Sequence, residues 1–405
     1  MGSMIYLSVG RLEVDWGKNH GFRDYSRLFQ EGDVAPVPYW YADEDGSLIC
    51  EMKEGLSRPL SQIVKRIYLL GHSEIYARRE YSHLSQLNDF DKEIFSFDDL
   101  AAVLSTVDVQ SLDPNYGEGG EDFGKFFRRE LAPRLSIEIR DNPNLGQGME
   151  NLSAETILLL LAKNPSAQHL SVTWQFADLE AGGWEPRESF VKQLSTVDRV
   201  LLVTEGSSDG HIIRRGLELL HPEIADFFYF ADVKEGYPFS GEGNLANFAK
   251  GLASIDVIND IIFIFDNDAA GVAGRDKIAS LGARDNMRVV TLPDLDAFHS
   301  FRTIGPMGER LANINGCAVA IECYLDLGVD PIVRWTSYNS AVDRYQGELI
   351  DKTRYAREFI KYQNLPPGYD LSKLAALLDM LIATYAAMKE KARLATIDEY
   401  MLPDA

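Results

Sequence analysis

Three rhythms of hydrophobic and polar positions run along the chain. Near its start, Ile5-Tyr6-Leu7-Ser8-Val9 has the two-residue period of a strand. A second extended segment, Val37-Pro38-Tyr39-Trp40-Tyr41, runs into an acidic turn, Asp43-Glu44-Asp45-Gly46. The period then lengthens. Over residues 59–70, Leu60, Ile63, Val64, Ile67 and Leu70 share one helical stripe, and 74–87 predicts a more polar, aromatic helix. Another helix opens at Phe97 with Asp98 or Asp99 near its cap. Residues 152–163 are helical, with Ser153 as N-cap and Asn164-Pro165 as the stop. The stretch 113–124, rich in Gly, Asp and Glu, reads as an exposed loop.

The third rhythm begins at Val197. Short apolar runs at 200–204, 227–231, 261–265 and 287–292 predict strands, and 209–220, 244–254 and 270–281 between them predict helices. Continuous apolar strands separated by helices indicate a parallel sheet covered on both faces. Near the C-terminus, Leu374, Leu377, Leu378, Leu381, Ile382, Tyr385 and Met388 mark an amphipathic helix capped by Asp370 or Ser372. Three regions follow: a mixed α+β domain over 4–195, an α/β domain over 196–330 and a helical extension over 331–405.

The chain of 405 residues is 45% hydrophobic and 25% charged, the proportions of a globular protein. No apolar run approaches the roughly 20 residues of a membrane span, and no charged-then-apolar leader opens the chain. Met1-Gly2-Ser3 ahead of Met4 reads as a cloning remnant. Three cysteines, Cys50, Cys317 and Cys323, lack any CxxC spacing, which argues against a disulfide framework or a zinc ribbon. The expectation is a soluble, cytoplasmic protein with no membrane partner. Charge changes the picture more. Forty basic against 62 acidic side chains give a net −22, a field that repels nucleic acid. Residues 331–405 are balanced, ten basic against ten acidic, so the excess lies upstream. A phosphate-handling enzyme with this surface needs metal ions, a local basic strip or a basic partner.

Two of the α/β strands end in acid. The run 200–204 leads into Glu205-Gly206-Ser207-Ser208-Asp209, and 261–265 into Asp266-Asn267-Asp268-Ala269-Ala270-Gly271. Ligands of parallel α/β sheets bind beyond the carboxyl ends of the strands. Asp266 and Asp268, two apart in extended chain, point the same way, and on neighbouring strands Glu205 joins them. Carboxylates that close repel unless protonated or bridged by cations. An all-oxygen set suits Mg²⁺ or Mn²⁺ and not zinc. Helix capping by Asp209 and Asp268 is the plainer alternative, but it leaves Glu205 and Asp266 unexplained.

Glu205-Gly206 after one strand and Asp266-Asn267-Asp268 after a later one resemble the Toprim domain of topoisomerases, bacterial primases and overcoming-lysogenization-defect nucleases. The resemblance implies a Rossmann-like parallel sheet over roughly 197–330, with one or two Mg²⁺ or Mn²⁺ ions on Glu205, Asp266 and Asp268. The nuclease branch adds an acid matched by Asp209 and a later acid, matched by Glu322 in Ala318-Val319-Ala320-Ile321-Glu322-Cys323-Tyr324-Leu325. The wider chain, including Gly305-Pro306 and Asn315-Gly316, resembles bacterial proteins with a HEPN/Toprim-associated N-terminal domain, which covers most of 1–195. The implied activity is metal-dependent hydrolysis of phosphodiester bonds in DNA or RNA, in bacterial anti-phage defence. Alternatives are a site-specific ribonuclease on transfer or ribosomal RNA, and a non-catalytic binding subunit with a structural metal. No P-loop Gly-x-x-x-x-Gly-Lys-[Ser/Thr] occurs, which leaves a stand-alone Toprim nuclease or the nuclease subunit of a system whose sensor is another chain, with homo-oligomers open.

Other signals discriminate less. Lys352 is the candidate cation for charge developing on a scissile phosphate, and Arg344, Lys352, Arg354, Arg357 and Lys361 form a basic stretch for nucleic acid. An exposed helix face with salt bridges to Glu348 and Asp351 is the alternative there. HEPN ribonucleases pair Arg and His a few residues apart. Arg78–His83, Arg66–His72, Arg214–His221 and Arg215–His221 all fit, so the pattern is cheap. His299 could act as a base near the sheet edge or be a satisfied structural histidine. Trp40, Trp174, Trp184 and Trp335 could stack on bases or pack in cores.

Overall fold

A computed structural model describes residues 2–42, 45, 47–88, 95–112, 123, 127, 136–137, 143–230, 242–255, 257–279, 284–362 and 364–401. Most of the acidic turn at 43–46, and all of 113–124 except Phe123, lie outside them. The chain divides into two compact units, Met1–Gln193 with Lys389–Ala405, and Leu194–Met388.

The first unit is built on an antiparallel sheet of β1 (Met4–Val9), β2 (Leu12–Lys18), β3 (Val34–Ala42), β4 (Leu48–Pro59) and β5 (Ser171–Gln175), in the order β2-β1-β5-β4-β3. Pattern reading finds β1 and part of β3. It misses β4, whose Cys-Glu-Met-Lys-Glu core is exposed and carries no apolar alternation. Among the described residues, helices α1 (Leu60–Leu69), α2 (Glu74–Leu87), α3 (Phe97–Leu104), α4 (Pro143–Glu150), α5 (Ala154–Leu161) and α6 (Ala177–Ala181) accompany the sheet. The stripe on α1 buries Leu60, Ile63 and Ile67. Ser153 caps α5 as the sequence predicts, accepting from the Thr156 N–H. At α3 the cap is Ser96, one turn earlier than Asp99, whose carboxylate closes the reciprocal bond to the Ser96 N–H. Trp174 is buried against Tyr25, Phe22 and Phe190, and Phe176 stacks on Phe190 at 5.0 Å.

In the second unit, β6 (Val200–Thr204), β7 (Phe228–Phe230), β8 (Asp260–Phe265) and β10 (Met287–Thr291) form a parallel sheet in the order β10-β8-β6-β7. Helices α7 (Ser207–Leu220), α8 (Glu242–Ala253) and α9 (Ala269–Ala279) connect them. Every residue of 261–265 is buried, as a strand covered on both faces must be. One face packs Val203, Phe263 and Phe265 against Leu245, Ala249 and Ile278. The expected Rossmann-like sheet flanked by helices is present.

Beyond it lie β9 (Asn267–Asp268), β11 (Phe301–Gly305), β12 (Gly308–Ala312), β13 (Ala318–Val319), β14 (Val333–Asn339) and β15 (Arg344–Leu349), followed by α10 (Lys352–Lys361) and α11 (Ser372–Met401). The stretch from 331 is therefore not helical throughout. Residues 333–349 form an antiparallel hairpin, in which β-branched and aromatic residues suit a pleated, half-buried surface. Helix begins only at Lys352. Leu374 and Leu378 of α11 seat against Gly216 of α7, where a Cβ would stand 3.0 and 3.2 Å from them.

The turn from β8 into α9 depends on one glycine. A Cβ on Gly271 would lie 2.2 Å from the Asp266 carbonyl oxygen, and backbone cannot give way there as a flexible side chain could. Gly271→Ala is expected to lower stability by about 1–3 kcal/mol, read as a drop in the urea midpoint at unchanged slope.

Candidate active site

Strand order fixes where the acids meet. The neighbours of β6 lie on opposite sides of it, β7 on one and β8 on the other, so the β6–β8 border is the point where chain connections diverge and a crevice opens at the carboxyl ends. Thr204 pairs with Ile264 across that border. One residue beyond β6 comes Glu205, and one beyond β8 comes Asp266. The Asp266 N–H donates to Glu205 Oε1 at 3.0 Å.

The other acids arrive from different elements. Asp209, on the first turn of α7, accepts from the Gly206 N–H at 2.9 Å and from the Ser208 hydroxyl at 3.1 Å. Glu322 is buried in the short 3₁₀ turn Ile321–Tyr324. Asp268 is held from two sides: the Gly271 N–H donates to Oδ1 at 2.7 Å and Gln346 Nε2 to Oδ2 at 2.6 Å. Capping by Asp209 and Asp268 is thus real, and Glu205, Asp266 and Glu322 stand in addition to it. Gln346 was not singled out by the sequence. Its signal would have been a polar residue between Tyr345 and Gly347, and that pattern is too common to notice.

The electrostatics show how closely these groups are crowded. Burial drives the Asp266 carboxyl well above its ordinary range, and Asp209, Glu205, Asp268 and Glu322 all push it the same way. Burial raises Asp209 to about 6, against the pull of its Gly206 and Ser208 donors and of Lys352. It raises Glu322 to about 7, with Asp209 adding to the shift and Lys352 opposing it. Lys352 opens α10, with its ammonium 3.4 Å from Glu348. Burial works against that charge, but Glu348, Glu322 and Asp266 outweigh it and hold the ammonium above its usual value. Five carboxyls and one cation share a region, yet among the described residues no three His, Cys, Asp or Glu side chains are drawn together closely enough to hold a metal ion. The donors are all oxygen, and Lys352 is the cation that offsets their mutual repulsion. In chemistry and charge they fit a hard divalent cation.

The basic stretch divides between two elements. Arg344 lies on β15, with Nη1 3.4 Å from the Gly316 carbonyl. Arg354, Arg357 and Lys361 are exposed along α10, opposite buried Ala356 and Phe359. Several members of the Arg–His pairs are held by partners of their own. Arg78 bonds Glu74 and Asp98. Fully buried Arg66 donates to the carbonyls of Arg27 and Phe29. Burial, together with Arg393 and Arg27, pushes buried His72 down to about 2, so it stays neutral. His221 lies within 4.0 Å of Glu223 and 3.8 Å of Asp379. His299 is exposed and 3.5 Å from Asp296.

Comparison with known families matches residues 1–198 to the family described as HEPN/Toprim N-terminal domain 1. The first unit therefore carries that domain. No curated protein and no solved structure matches the chain. Among the described residues no helix is long and apolar enough to cross a membrane.

Raised carboxyl pKa values make the metal-free fold pH-sensitive. The folded state holds protons that the unfolded chain has released. The stability they contribute is full below pH ~4 and is lost as pH rises through about 6 for Asp209 and 7 for Glu322. Glu322 alone accounts for on the order of 3 kcal/mol. In EDTA, melting temperature should fall from pH 5 to 8, and Asp266→Asn should raise it at pH 8. A flat profile would show that Asp209 and Glu322 titrate in the folded state as they do in the unfolded chain.

Proposed function

We propose that the second unit is a divalent-metal-dependent nuclease that hydrolyses phosphodiester bonds. The observation that supports this is the meeting of Glu205 and Asp266, joined by a hydrogen bond, at the diverging end of a parallel sheet, with Asp209, Glu322 and Lys352 coupled to them electrostatically. Crowded acids cost stability, and a fold keeps such a cost mainly where activity needs it. The Toprim resemblance and the HEPN/Toprim N-terminal domain support the same reading, and with it a role in bacterial defence.

Glu205, Asp209, Asp266, Asp268 and Glu322 would hold Mg²⁺ or Mn²⁺. Such an ion supplies, when bound, an activated water and charge neutralisation at the leaving oxygen. The protein's own part is positional. Gln346 and the Gly271 N–H fix Asp268, the Asp266 N–H fixes Glu205, and Lys352 offsets negative charge growing on the phosphate. Arg354, Arg357 and Lys361 present an exposed basic row to the backbone.

The test is incubation with plasmid and total cellular RNA in Mg²⁺, Mn²⁺ or EDTA. Cleavage should require metal, and millimolar metal should raise the melting temperature, because only the folded state gathers the carboxylates. Asp266→Ala should cut the rate about 100- to 1,000-fold while the protein stays folded. Arg78→Ala and His83→Ala should cleave normally. A discrete RNA product would identify a site-specific ribonuclease. Asp266→Ala cutting at the wild-type rate would refute the reading, as would salt-dependent binding without cleavage.

A further inference from the structure

We propose that the β14–β15 hairpin is a stacking platform for unpaired bases, so that the strand presented to the acidic site is single-stranded nucleic acid. The step from binding to cleavage rests on the nuclease reading above. The binding itself rests on separate observations.

Three aromatic rings meet on this hairpin. Tyr338 pairs with Tyr345 across the strands, and Trp335 with Gly347. Tyr345 stands edge-on to both other rings, with centroids 6.3 Å from Trp335 and 5.4 Å from Tyr338. A core would cover such rings, but Tyr345 is 60% and Tyr338 53% exposed. Trp335 is seated by two glycines: a Cβ on Gly347 would come 3.1 Å from its ring, and one on Gly305 3.2 Å. Its indole N–H has no acceptor among the described residues. Trp335 is thus half-buried at the base of the patch, the Tyr338 hydroxyl donates to Asp343, and Tyr345 is the most exposed of the three rings.

Charge selects the occupant. In a chain of net −22, residues 331–362 hold six basic against four acidic side chains. Arg334 and Arg344 lie on the same two strands and are exposed. By the pairing register Trp335, Tyr338 and Tyr345 share one face of the hairpin and Arg334, Arg344 and Gln346 the other. A nucleotide straddling β15, the last strand of its sheet, would set its base on the rings and its phosphate toward the arginines. Stacking is tolerant of sequence because every base has a π-face. In a duplex the bases are stacked on each other and their faces are closed to protein, so the platform requires unpaired nucleotides. The link to the acids is short. Gln346, next in sequence to Tyr345, donates to Asp268 and accepts from the Ala270 N–H at 2.9 Å. Alternation along β15 puts Tyr345 on one face and Gln346 on the other, so bases and scissile phosphate would lie on two sides of one strand.

The experiment measures binding of a fluorescent single-stranded oligonucleotide to the full chain in EDTA, where cleavage is off. Tyr345→Ala should weaken binding about tenfold or more, Tyr338→Ala should weaken it less, and Tyr345→Phe, which keeps the ring, should bind like wild type. Arg344→Gln should lower the salt dependence by about one unit of slope. A matching duplex should bind more weakly than the single strand. Wild-type affinity in Tyr345→Ala, or equal affinity for the duplex, would overturn the proposal. So would an altered sedimentation of Tyr345→Ala with binding intact, which would mark the patch as a contact between copies. Tyr345-dependent binding with no cleavage in Mg²⁺ or Mn²⁺ would keep the platform and remove the nuclease.

Discussion

The crowding of like charges at the end of two hydrogen-bonded strands governs the second unit. β6 and β8 are bound to each other by parallel pairing and packed on both faces, so the residues that follow them cannot move apart. Glu205 and Asp266 are close because their strands are. Repulsion has no backbone route of escape and is answered locally: by proton uptake, by N–H donors from Gly206, Gly271 and Asp266, and by Lys352. The surrounding elements supply these answers. Short turns bring Glu322, and a hairpin brings Gln346.

Much of this was legible in the sequence, for a definite reason. A strand buried on both faces must be a continuous apolar run, and Ile261–Phe265 is one, so the acids after it stand out. Gly206 and Gly271 mark the turns. The N-terminal sheet was less legible because the stretch 50–54 of β4 pairs through its backbone with its side chains exposed or half-exposed, leaving nothing periodic to read there. The hairpin at 333–349 was missed for a related reason. Its bulge between Trp335 and Ser337 breaks the two-residue alternation. The partners of Asp268, Gln346 and the Gly271 N–H at the start of α9, were not legible. No local pattern records a partner 78 positions away.

The Arg–His spacings illustrate the opposite case, a pattern that matches in several places and so discriminates little. Arg66 and His72 satisfy the spacing, yet Arg66 serves backbone carbonyls and His72 is held neutral by burial between two arginines. What separates the acids from these pairs is topology. The acids sit where connections diverge from a sheet, and the Arg–His pairs sit along single helices or at their ends.

The hairpin's bond to Asp268 also bears on the order in which the molecule can be made. Glu205 and Asp266 are 61 residues apart, and Gln346 and Asp268 are 78 apart, so these contacts close large loops and form late. A chain growing from its N-terminus completes β6 and β8 before the hairpin exists, and for that interval Asp268 lacks its side-chain donor. The acidic end of the sheet therefore matures last, after the apolar core that must bear its repulsion is already in place.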